Sequence, residues 1–377
     1  MRIIGIVAEY NPFHNGHKFL IDTVKRSGDI VIAVMSGNFV QRGDVAVFEK
    51  FERAEAALFC GVDLVLELPV ESALSSARDF ALAAVDILIA AGATHIAFGS
   101  ECGDISMLRK AAAAADDERV NETTVQRLRA GETYAKARSE AVAEIFGEDT
   151  ASVLNTPNDI LAVEYIRAVN ELGALEPIAV KRVGAMHDDR SAVGTFAGAM
   201  AVRELILSGQ DYRNFVPETA YNIYKDLVPA RIENAESAVL CHLRRMNADD
   251  FSVYDVSEGL HNRIYSAVRT AGSLNELQTL IKTKRYTLSR IRRVIMNAVL
   301  ETSGKTCPYL RVLGFTESGA DLLRGISKPV VSSYKTAKAQ NFADYFEWVS
   351  KTTDFYALCM DKPAPCDSEF VRSVLKI

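Results

Sequence analysis

The residues best suited to chemistry lie close to the start of the chain, where His14 and His17 bracket Asn15 and Gly16 in the run NPFHNGHK, Asn11 to Lys18. Imidazoles in an HxGH spacing can donate ring N–H bonds to phosphoryl oxygens, and the glycine between them lets the backbone approach a bulky ligand. An apolar run, Ile3 to Val7, precedes this polar segment, and an apolar-periodic stretch, Phe19 to Val24, follows it. The order predicts strand, tight loop, helix. Such a unit sets free backbone N–H groups and the positive helix end beside a sheet, which is an anion site suited to a triphosphate. Lys18 could add a cation. The pattern is neither GxxxxGK[ST] nor GxGxxG. Two histidines at a helix start also serve as caps or metal ligands; zinc would need more ligands than the nearby Glu9, so no metal site is assigned.

The elements that must hold this loop alternate. Asp29 to Met35 and Asp63 to Leu68 read as strands, Phe48 to Cys60 and about Ala73 to Ala91 as helices, and Thr94 to Phe98 as a further strand. Strands that are almost continuously apolar, separated by helices, predict a Rossmann-like α/β fold with a parallel sheet covered on both faces. Ligands in such folds gather at the carboxyl ends of the strands. There the polar motifs fall: Asn11 to His17, then SGNFVQRG with Gln41 and Arg42 as candidate substrate-loop donors, then Gly99 to Glu101. Pro177 to Val183 is the last strand candidate in this half, and it brings Lys181 and Arg182 to the same edge.

At 377 residues, 49% hydrophobic and 24% charged, the chain has the composition of an ordinary globular protein with room for two domains;. A net charge of -6 argues against indiscriminate coating of nucleic acid;. The six cysteines form no CxxC, so neither a zinc ribbon nor a disulfide framework is indicated;. The opening MRIIGIVAEYNP is unlike a signal peptide, and Phe80 to Phe98 carries Asp86, Gly92 and His95, so a cytoplasmic protein without a membrane span is expected;.

From Asp104 to about Gly147 the pattern is helical, an insertion whose alanine run, Ala111 to Ala115, reads as good helix composition;. Asn158 or Asp159 could cap the periodic segment Ile160 to Leu172. We place a boundary near residue 210. The expected division is 1–210, with the insertion at about 104–150, and a mainly helical 211–377. Within the second part, Arg263 to Arg311 is basic, with Tyr265 and Tyr286 interleaved. Lys282, Lys284, Arg285, Arg290, Arg292 and Arg293 are the candidate RNA contacts, with an unstacked base on tyrosine.

NPFHNGH resembles the signature of the HIGH-type nucleotidylyltransferases. With SGNFVQRG, GVDLVLELP, FGSE, PNDILAVEY and KRVGAMHD (Lys181 to Asp188), the first half resembles the bacterial tRNA(Met) cytidine acetate ligases. The resemblance implies ATP-dependent activation of acetate as acetyl-adenylate, then acetylation of the wobble cytidine of elongator tRNA(Met), with Mg2+ accompanying the nucleotide. It implies His14, His17 and Lys18 as catalytic residues. The nucleotide would lie along Val7, Ala8, Glu9, Tyr10, Asn11, Pro12, Phe13, Asn15, Gly16, Phe19 and Leu20, and on Gly99, Asn158, Arg182 and Arg203. Where such enzymes carry a Ser/Thr-rich helix start, this chain reads AGAMAVR, with Gly198 and Met200 in the hydroxyl positions. Each missing hydroxyl removes about 0.5–1.5 kcal/mol of hydrogen bonding, leaving backbone N–H groups for that role. Two other readings are an adenylyltransferase acting on a small phosphorylated metabolite and a tRNA-binding relative with a decayed nucleotide site.

Overall fold

Apolar runs become strands here because the helices between them bury both faces of the sheet. The structure is a computed structural model describing residues 1–183, 192–255 and 259–377. Its strands are β1 (Ile3–Ala8), β2 (Ile30–Ser36), the hairpin pair β3 (Phe39–Val40) and β4 (Asp44–Val45), β5 (Leu64–Leu68), β6 (His95–Ser100), β7 (Glu176–Lys181), the hairpin pair β8 (Ala192–Val193) and β9 (Phe196–Ala197), β10 (Leu310–Phe315), β11 (Val330–Val331) and β12 (Leu375–Lys376). Every residue of β2 and β5 is buried. Gly184 to Asp188 of the KRVGAMHD segment lie outside the described residues.

The main sheet runs β11-β10-β5-β2-β1-β6-β7, with β12 also on β10. β1 pairs in parallel with β2 on one side and β6 on the other, in the registers Gly5 to Ile32 and Gly5 to Ile96. The chain builds outward from β1 to β5 and then returns to lay β6 on the opposite flank. The switch point therefore falls beside β1, where such sheets open a crevice at their carboxyl ends.

Helices Ala77–Ala90 and Pro157–Leu172 cover one face of the sheet. α1 (Asn15–Val24), α2 (Lys50–Phe59) and the helix Ala199–Leu207 cover the other. The single helix expected over 73–91 is divided, because Ser76 accepts the Asp79 N–H as an N-cap and starts a new helix after the short Val70–Ala73 turn;. In the insertion, helix Ile105–Asp116 packs on Pro157–Leu172. Ala111, Ala112, Ala114 and Ala115 are all buried, so the alanine run is a close-packing surface as well as helix composition.

The expected division at residue 210 does not hold for the sheet. β10 comes from the second half and inserts antiparallel to β5, with β11 and β12 beside it. Its Arg311 is buried and pairs with buried Glu369 at 3.2 Å, while Lys50 of α2 bonds both Glu67 oxygens at 2.9 Å and also pairs with Glu369. A separate apolar core, including Val239, Phe251, Ile264, Leu277 and Ile295, joins the helices between 236 and 299. Among the described residues, no helix is long and apolar enough to cross a membrane.

Candidate active site

α1 starts at Asn15, earlier than the apolar periodicity implied, because His14 is its N-cap. His14 Nδ1 accepts the Gly16 N–H at 3.0 Å, and His17 Nδ1 accepts the His14 N–H at 3.2 Å. This is a capping box made of two imidazoles. With each Nδ1 accepting, the remaining proton of each neutral ring sits on Nε2, the donor left for a ligand. The rings stack with centroids 3.8 Å apart, and a Cβ at Gly16 would meet His14 Cε1 at 2.8 Å, so glycine is needed against the imidazole itself. Burial, with Arg182 and Arg203 nearby, pushes the His14 imidazole down to about 3. Burial, then His14 and Arg182, hold His17 well below its ordinary value. Both are neutral donors at neutral pH.

The wall behind them is rigid. Tyr10 turns the chain at the end of β1 with φ 45, in the left-handed region, and its ring meets His17 edge-on at 4.9 Å. Arg53 of α2, fully buried, donates to Phe48 O at 2.9 Å and Ser36 O at 3.1 Å, and also bonds Glu9 O and Gly37 O, joining the loops after β1 and β2. The Glu9 carboxylate accepts the Gln41 N–H at 2.9 Å, and Asn11 Oδ1 accepts the Val47 N–H at 2.8 Å. Sequence reading missed Arg53; its only local signal is a cation one turn after Lys50 on the buried face of α2.

These elements enclose a cavity of about 530 Å3. Of the residues expected at a nucleotide, Val7, Ala8, Glu9, Tyr10, Asn11, His14, Gly16, His17, Phe19, Leu20, Gly99, Asn158, Arg182 and Arg203 line it, as do Gln41 and Arg42. Pro12, Phe13, Asn15 and Lys18 do not. Phe13 is buried in the core beneath, and Asn15 Nδ2 donates to Thr195 O at 2.8 Å and Asn214 O at 3.0 Å. Lys18 pairs with Asp22 one turn along α1 and is not among the residues that line the cavity.

On the far wall, Asn158 donates to Glu101 at 2.5 Å. Neither Asn158 nor Asp159 caps the helix, which begins after Thr156 with Pro157 in its first turn. Asp159 instead accepts the Cys102 N–H at 3.1 Å and bonds Ser100 Oγ, fixing the loop after β6. Arg203 donates to Asn11 O at 2.6 Å, and its helix starts at Ala199 with Gly198, Ala199 and Met200 against the cavity. That start offers backbone N–H groups where the hydroxyls are absent.

The basic segment divides. Arg290 pairs with Asp255 at 2.7 Å, Arg292 bonds Gln278 at 3.0 Å and faces Asp44 at 3.7 Å, and Arg293 donates to Gln41 O at 3.3 Å. These three tie the helix Leu288–Val299 to its neighbours and do not form an outer stripe. Lys282, Lys284 and Arg285 are exposed on the loop before that helix. Tyr286 is buried in the helical core, so it is no platform for a base. Asp44 and Glu233, which line the cavity, carried no recognisable sequence signal. Among the described residues, no group of three or more His, Cys, Asp or Glu side chains could hold a metal ion.

A strand, a histidine-capped helix and converging arginines at the switch point of a parallel sheet define a nucleotidyl transferase, and the model of the HIGH Nucleotidyl Transferase family matches residues 1–369. The chain is 36% identical, over the full length of both, to the tRNA(Met) cytidine acetate ligase of a Thermoanaerobacter species, and 38% identical to that of Fervidobacterium nodosum over 88% of this chain and 84% of the relative. The crystal structure of Thermotoga maritima TmcAL superposes with a TM-score of 0.90 at 33% identity, and the same protein bound with alpha-thio ATP with 0.89 at 32%, each covering all of both chains. Within the HIGH nucleotidyl transferases, this chain belongs to the tRNA(Met) cytidine acetate ligases.

Proposed function

We propose that this chain uses ATP to activate acetate and acetylates N4 of the wobble cytidine of elongator tRNA(Met) in the cytoplasm. The observation that carries this reading is the pair of neutral imidazoles, each committed through Nδ1 to the backbone and left with Nε2–H beside Arg182 and Arg203. Acetate would attack the α-phosphorus, forming a P–O bond as the bond to the β-phosphate breaks and pyrophosphate leaves with its electrons. This step needs alignment and stabilisation of charge on the scattering oxygens, and rigid donors supply both. His14 and His17 would donate to them, Arg182 and Arg203 would neutralise them, and the Ala199 helix start would hold the terminal phosphates. Mg2+ would accompany the nucleotide, bound through its phosphates, since the described side chains offer no cage;.

The RNA would dock on the exposed Lys282, Lys284 and Arg285 loop. Its phosphates favour such a cationic surface, even on an acidic protein. Acetate-dependent exchange of labelled pyrophosphate into ATP tests the first step. Exchange that requires acetate is the expected result. Nucleotide binding without exchange would point to a phosphorylated-metabolite substrate, and no nucleotide binding to a decayed site.

A further inference from the structure

The cavity wall carries charged side chains that the activation step leaves unused. The β3–β4 hairpin supplies Asp44, the turn Ile232–Ala235 supplies Glu233, and the helix Leu288–Val299 supplies Arg292; all three line the same cavity as His14 and His17. The hairpin is seated on that helix. Gly43, at φ +74, has so little room that a Cβ would lie 2.4 Å from the Arg293 backbone nitrogen.

We infer that this part of the cavity wall is the cytosine subsite and that Asp44 is the base that takes the proton from the attacking N4 amine. The inference rests on the ligase reading above and assigns its second step. Cytosine presents an amine donor at N4 beside acceptors at N3 and O2, and a carboxylate next to a guanidinium is the complementary set. Asp44 Oδ1 accepts the Val45 N–H at 2.8 Å, while Oδ2 faces Arg292 at 3.7 Å, so the half-buried carboxylate keeps further acceptor positions toward the cavity. Arg292 lies four residues into its helix, about 6 Å of rise from Leu288, and the exposed Lys282–Arg285 loop comes just before;. An RNA held on that loop is therefore beside this part of the cavity wall, where a base splayed from its loop can enter.

The cytidine N4 lone pair is delocalised into the ring, so the amine is a weak nucleophile and gains from losing a proton as it attacks. In the step, N4 forms a bond to the acetyl carbonyl carbon and the carbon–oxygen bond to the adenylate phosphate breaks. AMP leaves with that electron pair, and the N4 proton passes to Asp44. The groups facing Asp44 are Arg292, Glu233, Arg203 and, from beyond the helix Ala343–Ala357, Cys359. Burial raises the carboxyl above the usual range, opposed by the Val45 N–H and Arg292 and reinforced by Glu233, which suits a general base;.

The test compares transfer with exchange. In Asp44→Asn, the ratio of acetyl transfer to acetate-dependent pyrophosphate exchange is expected to fall at least about a hundredfold. A ratio within about threefold of the natural protein's overturns the assignment. Glu233→Gln supplies a second readout should Asp44→Asn not fold. With one negative neighbour removed, the acid limb of the transfer pH profile should move to lower pH, and a limb that stays in place also overturns it. Absence of exchange in the unmodified protein would sink the ligase reading itself, a different result from loss of transfer alone.

Discussion

His14 and His17 stack at a centroid separation of 3.8 Å, and the Nδ1 of each accepts a backbone N–H at the start of α1. Capping uses the Nδ1 edge of each ring, and the proposed mechanism uses the opposite, Nε2 edge. A substitution should register in both.

His14→Ala is expected to destabilise the fold by about 0.5–2 kcal/mol through loss of the N-cap. It should lower pyrophosphate exchange by about a hundred- to a thousandfold through loss of a preorganised donor. Denaturant unfolding beside exchange kinetics checks both. Loss of stability with exchange retained would make the histidine a cap alone.

The pH dependence has a definite sign. His14 titrates near its ordinary 6.5 when unfolded and near 3 when folded. Below about pH 6.5 the unfolded chain therefore holds more protons, and stability falls as the pH falls, by about 2 kcal/mol at pH 5 from this group. Thermal melts between pH 7 and 5 should drop less steeply in His14→Gln. Parallel slopes would mean that the folded state accepts the proton freely.

Lys18→Ala removes an exposed (i, i+4) pair with Asp22 and nothing from the cavity. Stability should change by no more than about 0.5 kcal/mol, with exchange within a few-fold of the natural rate. A large fall in exchange alone would bring Lys18 back to the phosphates.

Charge reversal at Lys282, Lys284 and Arg285 together should weaken tRNA binding and reduce its log–log salt slope by about 2, as expected for three phosphate contacts to an RNA loop. Filter binding over a salt series measures this. Reversal at Arg290 should instead destabilise the helical core by breaking its pairing with Asp255.

Glu369 is the shared partner of Lys50 and Arg311. Glu369→Ala strands the buried Arg311 guanidinium and leaves Lys50 with Glu67 alone, and should cost about 3–5 kcal/mol;. Equilibrium unfolding gives the figure, and a cost below about 1 kcal/mol would mean that water reaches the cluster.

Much of this was legible in the residue order, and the failures have local causes. β1 and β2 are almost continuous apolar runs, β5, β6 and β7 keep apolar centres between polar ends or a single charge, and the HxGH loop carries its own chemistry. β10 hid because LRVLGF holds a charge whose partner, Glu369, lies 58 residues away, and no local pattern reports such a pair. Lys18 had its partner in view four residues on, and that spacing outweighs proximity to a motif. Tyr286 sits just before the Thr287 N-cap and shares a core with Ile291, a staple position that buries an aromatic ring;. Asp44 is positioned by a hairpin and a helix some 250 residues apart, a meeting that only the folded chain displays.

β10 lies between β5 and β11, so β5 stays an open edge until residues 310–315 arrive. During synthesis the ribosome must make some 240 further residues after β5 before that edge closes, at roughly 5–20 residues per second. For on the order of 10 to 50 seconds the nascent chain displays an unpaired apolar strand, a template for pairing with other chains. The interleaving that joins both halves of the molecule therefore makes its birth the period of greatest exposure to aggregation.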